Sequence, residues 1–579
     1  MEQFVSHVNR WAANDHRTLA ADRKLTEMIC LDMQPMSMVE DTGFKTFVDT
    51  LQPSYSLPTR KHLRWNLIPK LYNEIKANIK QQLEMVEIVS ITTDHWTSRA
   101  NDAYMSVTAH ILTEDFELKD FCLDVAYMPQ SHNAENISRA LVDSVKSWIP
   151  GAGTNKEVKI YVVSDNAANI QAACRLLPDN YRALNCFAHT LQLVIKDGLK
   201  EFTGAQNVIS KCQNIVNHFH HSAKSTHMLK GMQKTMQMPD HKLKSQCETR
   251  WNSTFQMIER MVEQKHALNA TLASITKVNN LSAHEWKTAE EYVQVLRPFE
   301  DATTIMSATR YSTLSMVIPV LNTLCDEMKA AELNTFGECI IKNINNRWPD
   351  YEKTQLFYIA TVLDPRFKQY AFSSESSKNA ARYTLLVEVL DIYEKKAERE
   401  KARKADVSKN IGSKHASSVV ASAATTSTST AATASTSTAA EQTEPSVEQS
   451  TTTSKSGKHD FWGLFKKKIA QKQDDEVQKQ SKEELRAVMQ YEIDRYLSEP
   501  LIDPSQCPFD WWKMHNRSYP NVSAVARLYL AIPSTSVPSE RIFSKAGLII
   551  SDRRCSLKPS VAEQLVFLNH NLKAKGIKS

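Results

Sequence analysis

The chain has 579 residues, 42% of them hydrophobic, enough to bury three or four folding units at roughly 100–200 residues each. Lys and Arg total 71 against 65 Asp and Glu, a net charge of +6, so any nucleic-acid contact must come from a local patch and not from global charge. Only 12 residues are Gly, about 2% against a usual ~7%, which argues against Gly-rich phosphate loops and for a largely helical protein.

The ten cysteines are scattered, and none forms a C-x-x-C pair. Neither a disulfide scaffold nor a Cys-rich zinc module is expected, and a reduced intracellular compartment fits best. The first residues lack the apolar core of a signal peptide. No apolar run approaches the ~20 residues of a membrane helix, so the expectation is a chain neither secreted nor membrane-spanning.

In chain order, residues 1–83 read as helical. Leu63, Leu67, Leu71, Ile75, Ile79 and Leu83 recur at spacings of four, marking one face of a helix bent or restarted at Pro69. Arg60, Lys61, Arg64, Lys70, Lys76 and Lys80 occupy its other faces, as a solvated surface or as a DNA-facing one. Residues 87–94, 103–112 and 119–128 are short β-rich runs, expected as an antiparallel meander. Residues 133–149 form an amphipathic helix with Ile137, Leu141, Val145 and Trp148 on one face. It leads to a nearly continuous apolar strand, 158–165, expected to lie parallel to the first.

Residues 166–400 read as mainly helical again. Ser, Thr or Ala fill 30 of the 40 positions from Ala416 to Lys455, with no aromatic, Leu or Ile residue among them. Such a tract cannot bury enough apolar surface to offset its chain entropy, so Lys404–Lys458 is expected to be a disordered linker. Helical signals return at 480–498, 522–532 and 557–572, with a Trp-rich stretch, FDWWKMH, at 509–515. The expected organisation is an N-terminal helical region, 1–83, and a first core part, 84–200. A helical insertion, 201–403, the linker, 404–458, and a C-terminal part, 459–579, follow.

Asp94 ends the first strand in TTDHWTS, and Asp165 ends the fourth in VVSDNAANI. If those strands are adjacent and parallel, two carboxylates meet at the sheet edge where α/β folds place ligands, as a divalent-metal site requires. Either alone is equally a turn or helix-capping residue. Glu540, opening a helix in SVPSERIFS, is the candidate third carboxylate of a two-metal phosphoryl-transfer site. Cys186 and His189 lie in LNCFAHTLQLVI, read as an apolar helix where a buried structural pair is an equal alternative. His218, His220, His221 and His227 read as a helix surface. Trp251, after Arg250, is alternatively a core aromatic.

TTDHWTS, SDNAANI, LNCFAHTLQLVI, ETRWNSTF and SVPSERIFSKAG followed by LVFLNHNL occur together and in order. By them the chain resembles the hAT transposase superfamily, and in particular its domesticated zinc-finger BED domain-containing members, from about Phe44 to the C-terminus. The resemblance implies an α/β fold of mainly helical content: an RNase H-like mixed sheet interrupted by a long all-helical insertion. That would explain why Glu540 follows Asp165 by 375 residues.

It also implies that Asp94, Asp165 and Glu540 hold Mg²⁺ or Mn²⁺. Cys186 and His189 would lie by the cleaved strand, Arg250 and Trp251 would contact DNA with the Trp stacked on an unstacked base, and the C-terminal region would form a homodimer or higher oligomer. No BED finger motif stands in these 579 residues, so no structural zinc is expected in this chain. The expected function is that of a nuclear, transposase-derived DNA-binding protein that regulates transcription or chromatin. The alternatives are an active metal-dependent transposase and a dimeric scaffold without DNA binding.

Overall fold

The computed structural model describes residues 9–84, 86–98, 101–149, 158–201, 204–247, 250–308, 311, 313–330, 334–418, 463–549 and 558–574. Five strands form one mixed sheet in the order β3-β2-β1-β4-β5. They are β1 (Ile88–Thr97), β2 (Ala103–Leu112), β3 (Leu118–Tyr127), β4 (Lys159–Ser164) and β5 (Tyr181–Asn185). β1, β2 and β3 are the expected antiparallel meander, and β4 joins β1 in parallel after the crossover helix Ala134–Trp148. Asn133 caps that helix by accepting from the Asn136 N–H, and Ile137, Leu141, Val145 and Trp148 are its buried face, as the periodicity requires.

β5 lies in a stretch read as helical. It is a mostly exposed edge strand of only five residues, too short and too polar to show alternation. Consequently LNCFAHTLQLVI is not one helix. Leu184 and Asn185 end β5, Cys186 is the junction, and the helix is Phe187–Glu201.

The Leu63–Leu83 stripe is helical, with a π-helical turn at Leu63–Leu67 before Ile68–Leu83. A strict spacing of four gains about 40° per step on an α-helix, so the stripe would wind around it. One wider turn sets the phase back, and Leu63, Leu71, Ile75, Ile79 and Leu83 are all buried. Lys76 and Lys80 lie over the Trp148 ring, at 4.9 and 5.9 Å from its centroid. That removes them from the expected DNA-facing set, whereas Arg60, Lys61 and Lys70 stay exposed.

The last helix, Pro559–Ala574, lies in the C-terminal region expected to self-associate, and its apolar stripe is more than one side of a helix needs. Val561, Leu565, Val566, Phe567, Leu568 and Leu572 are nevertheless all buried in the sheet's own core, so these side chains are not the self-associating surface. Its polar residues are also used within the chain. The Asn571 amide accepts from the Cys122 N–H at 3.0 Å and donates to the Cys122 carbonyl at 2.8 Å. Asn569 donates to the Cys30 and Leu31 carbonyls at the end of helix His16–Leu31. An edge strand and a helix terminus both leave backbone groups unpaired, and this helix supplies the partners.

The Trp-rich stretch is the helix Pro508–His515, with Trp511 and Trp512 buried. The insertion is all-helical among its described residues, from Ala205–His221 to Gln355–Val362. The described residues among 386–494 form a second compact unit, which holds most of the helices Glu375–Ser418 and Gly463–Ser498. The first of these corrects the linker boundary, because helix continues to Ser418. Lys-, Glu-, Arg- and Ala-rich sequence propagates a helix already nucleated at little cost. The rest of the expected linker, 419–458, lies outside the described residues.

Candidate functional site

The β1–β4 register pairs Thr92 with Val163, and Asp94 and Asp165 each follow two residues on. Parallel pairing therefore brings both carboxylates to the C-terminal edge of the sheet. The third approaches on the helix Val537–Ile549, with Glu540 in its first turn. Ser539 Oγ lies 2.7 Å from Thr92 Oγ1, tying that turn to β1. Trp96 stacks on Phe543 of the same helix with ring centroids 5.8 Å apart.

The Asp94 carboxyl is pushed up to about 7. Partial burial is the main cause, and the charges of Glu540 and Asp165 add to it, while the His95 N–H, donating at 2.8 Å, opposes it. Three acidic groups distant in sequence thus share one electrostatic environment. Carboxylate oxygens suit a hard divalent cation. Among the described residues, however, no three His, Cys, Asp or Glu side chains stand close enough to enclose one. The arrangement fits an open site, in which Mg²⁺ takes one or two carboxylates and keeps several waters.

Glu540 is instead engaged from the insertion. Arg250 Nη2 lies 4.0 Å from Glu540 Oε2, and the two side chains are 70% and 44% exposed. Trp251, beside Arg250, is only 7% exposed and packs near Phe255. In this conformation its ring is a core aromatic, with no face open to a base.

Cys186 is fully buried, and burial pushes its thiol up. Its Sγ accepts from the Ser536 N–H at 3.3 Å, and the next N–H, of Phe187, donates to the Ser534 carbonyl at 2.8 Å. Ser534 is held in turn by Thr313 Oγ1, 3.0 Å from its N–H. Cys186 therefore fastens the loop that delivers Glu540. His189 is half-buried in the first turn of the following helix. Two of the four grouped histidines are spent locally, His218 on Ser225 Oγ and His220 on the Leu243 carbonyl, and His221 and His227 are exposed, as a helix surface requires.

Sequence reasoning passed over His95. Its position next to Asp94 on a strand sends its ring to the opposite face. Both ring nitrogens are buried without a hydrogen-bond partner among the described residues. The ring is lowered to about 4, by burial first and then by His132, whose ring centroid is 5.7 Å away, against the pull of Asp165.

Residues 92–193 match the ZBED1 RNase-like domain, 184–295 the ZBED1 RNase-like helical domain, and 492–572 the hAT family C-terminal dimerisation region. The chain is 26% identical to zinc finger BED domain-containing protein 4 of Homo sapiens over 95% of its own length and 43% of that protein's. It is 28% identical to a putative AC transposase of Zea mays, covering 94% and 64% of the two chains. With zinc finger BED domain-containing protein 6 of Homo sapiens the identity is 24%, over 95% and 55%. The chain thus spans about half the length of the curated relatives it matches. No described helix is long and apolar enough to cross a membrane. With an RNase-like domain, its helical domain and the hAT C-terminal dimerisation region matched in order along one chain, the protein is similar throughout to hAT-type transposases and to zinc finger BED proteins.

Proposed function

We propose that this transposase-derived protein is a nuclear DNA-associated factor that self-associates and regulates transcription or chromatin. The acidic edge carries the reading. Asp94, Asp165 and Glu540 lie close enough for the last two to raise the Asp94 carboxyl, with the Arg250 guanidinium against Glu540. Carboxylates and an exposed guanidinium side by side suit a phosphodiester: Arg is a ready donor to phosphate oxygens. Arg60, Lys61 and Lys70 supply further exposed cations on the N-terminal helices. The relatives named as transposases and BED proteins support the same direction.

A Mg²⁺ or Mn²⁺ ion held by Asp94 and Asp165 would supply Lewis-acid polarisation of a phosphate oxygen. Glu540 would join them only by giving up Arg250. The raised Asp94 carboxyl favours a second reading, metal-dependent strand cleavage and transfer, because carboxylates crowded together are what a cation relieves. The open geometry and the Arg250 contact support the binder over the nuclease.

The deciding experiment measures duplex binding across a salt series, together with nicking in Mn²⁺. Salt-sensitive binding that survives Asp94→Asn, without nicking, supports the regulator. Nicking abolished by Asp94→Asn or Asp165→Asn supports the transposase. No binding at any salt concentration eliminates both.

A further inference from the structure

A line of buried polar side chains crosses the sheet and ends at the residue before Glu540. Asp120 on β3 is the cross-strand partner of His110 on β2, and Thr108 is the partner of Thr92 on β1. Residues two apart share a strand face, so all four side chains lie on one side. His110 Nδ1 is 3.6 Å from Asp120 Oδ1, and His110 Nε2 is 2.8 Å from Thr108 Oγ1. Thr108 Oγ1 is 2.5 Å from Thr92 Oγ1, which is 2.7 Å from Ser539 Oγ. His110, Thr108, Thr92 and Ser539 are all buried. From the last helix, His570 Nε2 faces the same Asp120 oxygen at 3.5 Å, and Lys545 bears on that carboxylate as well.

Counting protons ties the line to the His110 tautomer. Thr92 and Thr108 each touch two partners, and a hydroxyl donates only once, so a neighbour that takes its proton obliges it to accept on its other side. With the His110 proton on Nδ1, Nε2 accepts from Thr108, Thr108 from Thr92, and Thr92 from Ser539. With the proton on Nε2, His110 donates to Thr108, and Ser539 is no longer obliged to donate into the line. Asp120 Oδ1 has no hydrogen-bond partner among the described residues, and its charge 3.6 Å from Nδ1 favours the proton on that nitrogen, the first arrangement.

We propose that Asp120, acting through the His110 tautomer and the Thr108 and Thr92 hydroxyls, orients Ser539 and so holds the first turn of the Glu540 helix against β1. Asp120, His110 and Thr108 are then positioning residues for the acidic edge. The proposal rests on reading that edge as a divalent-metal site, and its test separates the two.

On the full chain, Mn²⁺ binding is followed by electron paramagnetic resonance, and the His110 tautomer by ¹⁵N resonances of labelled histidine. Thr108→Val and Ser539→Ala should weaken Mn²⁺ binding about tenfold, in the range of other losses of outer-shell support, while Thr108→Ser binds normally. The His110 signals should report an Nδ1–H tautomer that changes in Ser539→Ala and in Asp120→Asn. If Asp120→Asn does not fold, the other three variants still decide. Normal Mn²⁺ binding by Thr108→Val, or His110 signals indifferent to Ser539→Ala, would overturn the proposal. Should the unmodified chain bind no Mn²⁺, the metal reading fails by itself. The relay is then judged on the His110 signals alone, a change upholding it and no change sinking it.

Discussion

Two aspartates carry the comparison that separates structure from function in this molecule. Asp364, in the helical insertion, is fully buried, and so is its partner Arg366. Arg366 Nε donates to Asp364 Oδ1 at 2.9 Å and Nη2 to Oδ2 at 2.7 Å, and Ser315 Oγ donates to Oδ2 at 2.6 Å. Asp94 is less buried, yet it receives one backbone N–H and faces two further carboxylates. The deeper charge is fully compensated, and the shallower one is not. A buried charge left without compensation costs free energy and persists where a ligand is to supply the missing partner. The contrast assigns Asp364 to the architecture and Asp94 to the site.

The largest effects should come from breaking the compensated pair. Arg366→Met leaves Asp364 buried and unpaired, and should cost ~3–5 kcal/mol, read as a collapse of the melting temperature. Leu565→Asp, which puts a carboxylate into the core with no partner at all, should unfold the sheet to a similar degree. If it left folding intact and merely dissociated an oligomer, the intramolecular account of the last helix would be wrong.

Asp94→Asn should act in the opposite direction. The native carboxyl is raised from 3.8 to about 7, so between about pH 4 and 7 the folded state holds a proton that the unfolded chain has released. This group's contribution is therefore lost as pH rises through that window, by at most ~4 kcal/mol. The Asn variant should exceed the unmodified chain in stability at pH 7.5, and the gap should close toward pH 4. Parallel stability curves across that window would break the comparison.

A cation should serve as the missing compensation. Mn²⁺ at a hundred times its dissociation constant would stabilise the fold by ~2.7 kcal/mol, a rise in melting temperature absent from Asp94→Asn and Asp165→Asn. The smallest effect belongs to Arg250→Ala. The exposed pair with Glu540 is worth no more than ~1 kcal/mol, so stability should barely move. The Mn²⁺-dependent rise should nevertheless grow, because Glu540 loses a competing cation. A smaller rise would show that Arg250 supports the site instead of occupying it.

Much of the candidate site was legible as separate pieces. Asp165 stands just past the end of β4, but Asp94 does not end its strand: it lies two residues past the last β1–β4 pair, and β1 runs on to Thr97 against β2. The continuous apolar run and the crossover helix signalled the parallel pair. Glu540 was legible only through the family resemblance, since a Glu in a first helical turn is ordinary. Cys186 was misread because the five residues before it form an exposed strand without alternation. Its thiol's use, holding the Ser534–Ser536 loop, depends on a segment 350 residues away. Trp251 and its Arg250 neighbour looked alike as DNA contacts, yet one faces the core and the other Glu540.

By itself the sequence determined what local periodicity and composition can encode. These are the meander, the crossover helix, the long apolar stripe, the helical insertion and two aspartates on the paired strands. Each is legible because one face of a helix or strand must be apolar to be buried. Only the tertiary structure decided how the surplus is spent. The final helix's apolar stripe and its Asn569 and Asn571 amides could as well have served a second subunit. They are consumed within the chain because β3 and the His16–Leu31 helix present backbone groups needing partners there. Whether an amide or an apolar face is satisfied depends on what long-range packing brings to it, and that is not written in the spacing of residues along the chain.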